Sequence, residues 1–264
     1  MRKLYCLLLL AAPLLVQAQS KVSSPMAVWP ELQASFGVNE SGLLFIQNQY
    51  RINTDGRFND LAANGPLQNF ERIELALGYE QTLSAHWRAG AVFRYAAEDY
   101  PKTAFYTVFL RHSGKVGSLF FNKQLTAEYV GQQGHDVFSR LRLEGELGKR
   151  LPLGGRFLTP GIRYEGMVLS GFGGKKSMGT QERVIDRTRL RLNLTYEVTD
   201  KLRLTPYFMR QTHYYYVLVP PVYDAQEQLV EEGYTTKRNR ISPVLGLEIK
   251  YTLNSTPQTA SITY

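Results

Sequence analysis

The chain is almost without cysteine: Cys6 is the only one in 264 residues. It lies in a stretch that reads as removable. Met1-Arg2-Lys3 is basic, Leu4 to Val16 is nearly all apolar, and Val16-Gln17-Ala18 closes the run where a signal peptidase would cut. That apolar core is too short to cross a bilayer as a helix. Residues 1–18 are therefore read as a secretory signal peptide and 19–264 as a single domain. Cys6 sits too early in the core to be a lipoprotein cysteine. Without residues 1–18 the chain has no thiol, which excludes disulfides, zinc–cysteine sites and thiol catalysis.

Long apolar runs are also missing. Beyond residue 18 no stretch approaches the roughly 18 residues that a membrane helix requires, so a helical membrane protein is excluded. Histidine is scarce, at four residues, and there is no Gly-x-Ser-x-Gly elbow and no His-Glu-x-x-His pair. His112 adjoins Ser113, but both are placed in a short turn, and adjacency in sequence does not make a dyad. His135-Asp136 reads as part of a solvated Gly-rich loop. Gly171-Phe172-Gly173-Gly174-Lys175-Lys176-Ser177 lacks the glycine spacing of a phosphate loop and has no helix after it. Carboxylates with calcium spacing are absent. The expectation is a protein that is not an enzyme and has no metal or cofactor. Acidic residues are outnumbered, 23 against 31 Lys and Arg, for a net charge of +8. The arginines are spread along strand faces instead of forming one patch, which argues against nucleic acid as a partner.

What the sequence has in quantity is aromatic residues, 12% of the chain with 17 Tyr and 13 Phe, and strict alternation. In Phe70 to Glu80, Ile73, Leu75, Leu77 and Tyr79 take one face and Arg72, Glu74, Ala76, Gly78 and Glu80 the other. Leu190, Leu192, Leu194 and Tyr196 oppose Arg187, Arg189, Arg191, Asn193, Thr195 and Glu197. Leu245, Leu247, Ile249 and Tyr251 oppose Gly246, Glu248 and Lys250. A period of two is the signature of a pleated strand. The pattern predicts strands near 27–37, 42–52, 69–81, 86–96, 103–111, 117–130, 137–148, 156–169, 185–198, 201–215 and 238–253. Most match the roughly 9–11 tilted residues that cross a bilayer.

Connections alternate between short turns, such as Val38–Gly42, Leu83–His86, Ser113–Val116 and Val198–Lys201, and long loops at Thr54–Gln68, Gly171–Val184 and Val219–Thr235. Tyr79, Tyr95, Tyr164, Tyr196 and Tyr251 recur at the ends of apolar faces, as interfacial girdles do. The fold class expected is all-β, a transmembrane antiparallel up-and-down β-barrel of the outer-membrane type with 10–12 strands. Eleven strands are legible. Because bacterial single-chain barrels have even strand numbers, twelve are expected, with the missing crossing in Gln19–Met26 or Ser255–Tyr264 and both termini periplasmic. A secreted sandwich would turn its apolar faces inward, and long strands with alternating loops favour the membrane barrel over it.

Trp29 precedes the first hairpin, and Leu77-Gly78-Tyr79-Glu80-Gln81-Thr82-Leu83-Ser84 ends a strand with Trp87 following. These residues, with Arg140-Leu141-Arg142-Leu143-Glu144 and Leu194-Thr195-Tyr196-Glu197-Val198-Thr199-Asp200-Lys201, resemble the family named domain of unknown function 2490, found among Gram-negative outer-membrane proteins. The resemblance covers most of residues 19–264 and rests on degenerate strand patterns, with Val219–Thr235 and the tail after Leu253 departing from it. It implies an outer-membrane barrel and assigns no chemistry.

If the apolar faces meet lipid, the opposite faces line a lumen. That wall would carry Arg72, Arg88, Arg94, Arg140, Arg142, Arg163, Arg187, Arg189, Arg191, Arg203, Arg238 and Arg240, interleaved with Glu74, Glu80, Glu144, Glu146, Glu165, Glu197 and Glu248. One reading is a basic conduit, a passive pore for small, anionic solutes, since guanidinium forks bind carboxylate and phosphate groups. The other is a network of cross-strand pairs that fills the lumen and serves stability, giving a structural or accessory barrel of an envelope complex. A lipid-modifying enzyme would need a Ser, a His and an acid together near the rim. The partners expected are outer-membrane lipid, the barrel-assembly machinery, which would read Gly246 to Tyr251, and small anionic solutes. The expected location is the outer membrane of a Gram-negative bacterium.

Overall fold

The computed structural model describes residues 20–61, 69–99, 102–170, 184–224 and 226–253. Within them eleven long strands follow in chain order: β1 Ala27–Gly37, β2 Gly42–Asn53, β3 Arg72–Thr82, β4 Trp87–Ala97, β5 Thr103–Val116, β6 Leu119–Gln132, β7 Phe138–Gly148, β8 Arg156–Ser170, β9 Ile185–Glu197, β10 Leu202–Val219 and β11 Tyr234–Thr252. Each pairs antiparallel with the next. β11 then closes the ring on β1 by a parallel ladder from Val244↔Ala27 to Thr252↔Ser35. The result is a closed, all-β barrel of the outer-membrane type. No α-helix occurs among the described residues.

The parallel seam resolves the parity question. Eleven strands lie inside the expected range but one short of twelve. Ser20–Ser23 makes no further crossing, because it continues the line of β1 and pairs parallel with Ser20↔Arg238 to Ser23↔Ile241 of the same strand. Residues 254–264, the other place for a twelfth strand, lie outside the described residues, as do residues 1–19 with the signal peptide. With an odd number of crossings the first and last strands must run the same way. Among the described residues Ser20–Ser23 sits at the long-loop end and Thr252 at the short-turn end, whereas the two termini, expected on one side, lie outside the described residues.

Turn chemistry explains the short-turn end. In the first hairpin Asn39 Oδ1 accepts from the backbone N–H of Ser41 and Gly42, an Asx-type cap on the turn. A turn is predicted at Ser113–Val116, but β5 runs through it to Val116 and β6 begins at Leu119. Their turn is Gly117–Ser118, where Gly117 has φ +61°, a left-handed conformation open to glycine at little cost. His112 and Ser113 thus belong to a strand. At the other end β10 and β11 extend into the predicted 219–235 loop, pairing out to Val219↔Tyr234, beyond which Val222–Tyr223 and Leu229–Glu231 form a small hairpin.

Alternation sorts the side chains as the sequence pattern requires. Leu75, Leu77, Tyr79, Tyr95, Leu125, Leu143, Tyr164, Leu192, Leu245 and Tyr251 are exposed on the outer face, whereas Glu74, Glu80, Arg88, Glu146, Glu165, Arg191 and Glu248 are buried inside. The polarity is inverted relative to a soluble barrel. Burying charge and exposing leucine is stable only where the outer solvent is hydrocarbon.

Candidate functional site: the charged lumen

At mid-height the lumen is crossed by a circuit of ion pairs. Arg51 on β2 places Nη2 2.5 Å from Glu74 on β3, whose carboxylate also takes Arg72 at 2.9 Å and Arg94 of β4 at 3.2 Å. Arg94 passes over β5 to reach Glu128 on β6 at 2.9 Å. Glu128 further accepts from Arg140 and lies 3.5 Å from Arg142, both on β7. Arg142 bridges onward to Glu165 on β8 at 3.5 Å, and Arg189 on β9 meets the same carboxylate at 3.1 Å. Trp29 on β1 completes the circuit, with the guanidinium carbons of Arg51 and Arg189 4.1 and 5.8 Å from its ring centre. Phe105 is a second hub: Arg94, Arg140 and Arg72 lie 4.2, 5.2 and 5.4 Å from its centroid. Cation–π contacts of this kind strengthen when water is excluded.

Toward the short turns the lumen widens into a polar cavity of about 240 Å³. Glu146 anchors its wall, accepting from Arg163 at 3.2 Å and from Asn193 at 3.0 Å, the latter across an intervening strand. Glu144 is 3.5 Å from Arg163. Glu248 is held by Arg191 at 2.5 Å and Lys250 at 3.1 Å, with Glu31 beside it in register and bonded to Gln49. At the rim Glu197 pairs with Arg150, and Glu80 with Arg88 and Arg111.

The lumen wall from the circuit outward is unbalanced. It carries nine arginines (Arg51, Arg72, Arg94, Arg140, Arg142, Arg187, Arg189, Arg238, Arg240). Among the described residues of that wall and its strand ends, six carboxylates face them: Glu71, Glu74, Glu98, Glu128, Glu165 and Asp186. The long loops beyond carry further acids, Asp55, Asp60, Asp99, Asp136, Asp224, Glu227, Glu231 and Glu232 among them. Arg187, His213 and Arg240 stand side by side on β9, β10 and β11. Asp186 lies 3.2 Å from His213 Nε2 and 3.8 Å from Arg187 Nε.

The nineteen charged residues singled out from alternation stand on the inward parity of their strands, split between two levels. Alternation missed Arg51, Glu128 and Glu31, which follow the same period on β2, β6 and β1. It was masked there by polar Gln and Thr neighbours and by the inward Trp29. Asp186 could not be found by parity, because the β8–β9 register shifts between Met167 and Val168. Of the histidines, His112 packs edge-on against Trp87 at 4.7 Å, and His86 bonds the carbonyl of Ser113 at 3.1 Å. Among the described residues no group of three or more His, Cys, Asp or Glu could hold a metal.

No family model matches the chain, and no curated protein matches it. Two solved structures are similar in fold. One is LpxR from Salmonella typhimurium, at 11% identity and a TM-score of 0.44, covering 84% of this chain and 87% of that one. The other is the NanC porin, at 11% identity and a TM-score of 0.43, covering 84% of this chain and 91% of that one. Both are outer-membrane barrels, and at this level the likeness is one of fold. The expectation that the chain is not an enzyme is corrected here: LpxR, one of the two neighbours in fold, is an enzyme.

Proposed function

We propose that the protein is an outer-membrane barrel of Gram-negative bacteria acting as a narrow, anion-preferring channel for small solutes. The observation that carries this reading is the arginine surplus on the lumen wall from the circuit outward, nine guanidinium groups against six carboxylates. Fixed positive charge in a low-dielectric passage raises the local concentration of anions and repels cations. The glutamates within the circuit hold the guanidinium forks in place and set the local balance. Its partners in this reading are membrane lipid, the assembly machinery and the solute. An amino-terminal signal peptide and membership of domain of unknown function 2490 belong to the same proposal.

The test is conductance of the refolded protein in a planar bilayer under a salt gradient. Discrete steps with an anion-side reversal potential are expected. Insertion without conductance would retire the channel. One observation favours that second reading, a non-conducting accessory barrel: the circuit is nearly dry, with the side chains of Glu74 and Glu128 only 4% and 2% exposed.

A further inference from the structure

We infer that the outer mouth of the lumen holds a binding site for a phosphate group, formed by Arg187 and Arg240 on either side of His213. The inference deepens the anion-preferring reading but does not require conduction. Three observations carry it. First, these side chains occupy one rung of adjacent strands, so their backbones are about 4.8 Å apart from strand to strand and their long side chains share one volume. Second, the two arginines are short of partners, while His213 has Asp186 at 3.2 Å. Arg187 has Asp186 as its ionic neighbour at 3.8 Å, and its buried Nε finds no hydrogen-bond acceptor among the described residues. Arg240 makes no ion pair among the described residues and lies 5.4 Å from the ring of Tyr215. One rung outward, the buried Nε of Arg238 likewise lacks an acceptor. Third, the lumen wall from the circuit outward carries nine guanidinium groups against six carboxylates, so it favours an added anion.

The chemistry of the vacant donors selects the ligand class. A guanidinium group presents parallel N–H donors that match two oxygens of one oxyanion, and two such forks facing a tetrahedral group satisfy all its oxygens. Chloride offers no such geometry, and a single carboxylate leaves part of the surplus unmet. Arg240 is exposed to the lumen mouth, so a solute can arrive from the long-loop side without passing the circuit.

The experiment is calorimetric titration of the refolded full-length barrel in detergent at low salt, with inorganic phosphate and separately with glycerol 3-phosphate. Saturable binding with one site per barrel is expected, weakened at least about tenfold, or about 1.4 kcal/mol, in Arg187→Gln and in Arg240→Gln. Arg57→Gln, in the exposed loop after β2, should bind like the parent. Tighter binding of the ester would assign the site to phosphorylated solutes, and equal or tighter binding of inorganic phosphate to the free ion. If Arg187→Gln does not fold, Arg240→Gln decides, because Arg240 makes no ion pair among the described residues. No saturable binding of either probe, or binding that neither substitution changes, would overturn the inference. An anion-side reversal potential could survive that result, and absent conductance would leave the binding result standing.

Discussion

Arg191 on β9 reaches across β10 to place Nη1 2.5 Å from Glu248 on β11, with its guanidinium carbon 3.7 Å from the centre of the Tyr207 ring on the strand between. The pair ties together strands that share no backbone ladder, one of them the strand that closes the barrel. Replacing Arg191 by Met would leave Glu248 buried with Lys250 alone. Breaking one side of a buried pair costs about 3–5 kcal/mol, whereas removing both charges costs less. Equilibrium unfolding in urea should show Arg191→Met well below the parent and the Arg191→Met, Glu248→Gln double variant partly restored. A single variant as stable as the parent would show that the pair carries no stability.

Glu128, like Glu74, is shared by three arginines of the circuit, here Arg94, Arg140 and Arg142. Glu128→Gln should therefore act in two ways at once. It removes the one carboxylate that pairs with Arg140 and one of the two that hold each of Arg94 and Arg142, lowering stability by several kcal/mol by the same reasoning as for Arg191. In a conducting barrel it also deepens the positive field, moving the reversal potential further toward the anion side, while Arg142→Gln moves it back. Shifts of the same sign for the two substitutions would remove the circuit from any role in selectivity.

The fold was legible in the sequence to the extent that one strand face is uniformly apolar. Where Leu190, Leu192 and Leu194 alternate with Arg189, Arg191 and Asn193, the period of two fixes both the strand and its orientation. Where polar residues occupy both faces, as in Phe45 to Arg51, the strand is legible and its lumen residues are not, and Arg51 was lost. The turn at Gly117–Ser118 was misplaced because Ser113-Gly114 is as good a local turn signal. The wider hydrogen-bond ladder decides between them, pairing His112↔Lys123 and Val116↔Leu119. The parallel seam, and with it the strand parity, is a property of closure. No local pattern carries it. The circuit itself depends on side chains that skip a strand, such as Arg94 to Glu128, and alternation fixes only which side of the wall a residue faces.

Asp55, in the loop after β2, accepts hydrogen bonds from the backbone N–H of Arg57 and from its guanidinium group, Nη2 lying 2.6 Å from Oδ2. Those donors favour the charged carboxylate and hold its pKa below the usual value of 3.8. A depressed acid contributes stability above its unfolded pKa and loses it as the pH falls through its folded one. The cap of the short 3₁₀ turn at Gly56–Phe58 should therefore persist at pH 5 and open well below pH 3.8. Carboxyl-carbon NMR of the refolded barrel should put the Asp55 midpoint below 3.8, and Arg57→Gln should raise it. A midpoint unmoved by that substitution would show that the pair does not persist in solution.

Leu143 on β7 is 64% exposed on the outer face, registered beside Leu125 of β6, which in turn faces Leu110 of β5. In water such a row would promote aggregation, but in hydrocarbon it is the favourable solvent contact. A cation near the midplane of a barrel's lipid face costs about 2–4 kcal/mol, falling toward zero near the interfaces. Leu143→Arg should therefore lower the unfolding free energy in phospholipid vesicles by that amount. Leu83→Arg, in a short turn beyond the strands, should cost under 1 kcal/mol. In detergent micelles, whose apolar layer deforms around a charge, the gap between the two variants should narrow. Equal costs in vesicles would mean that Leu143 does not face the bilayer interior, and the inverted polarity of the barrel would then need another solvent to explain it.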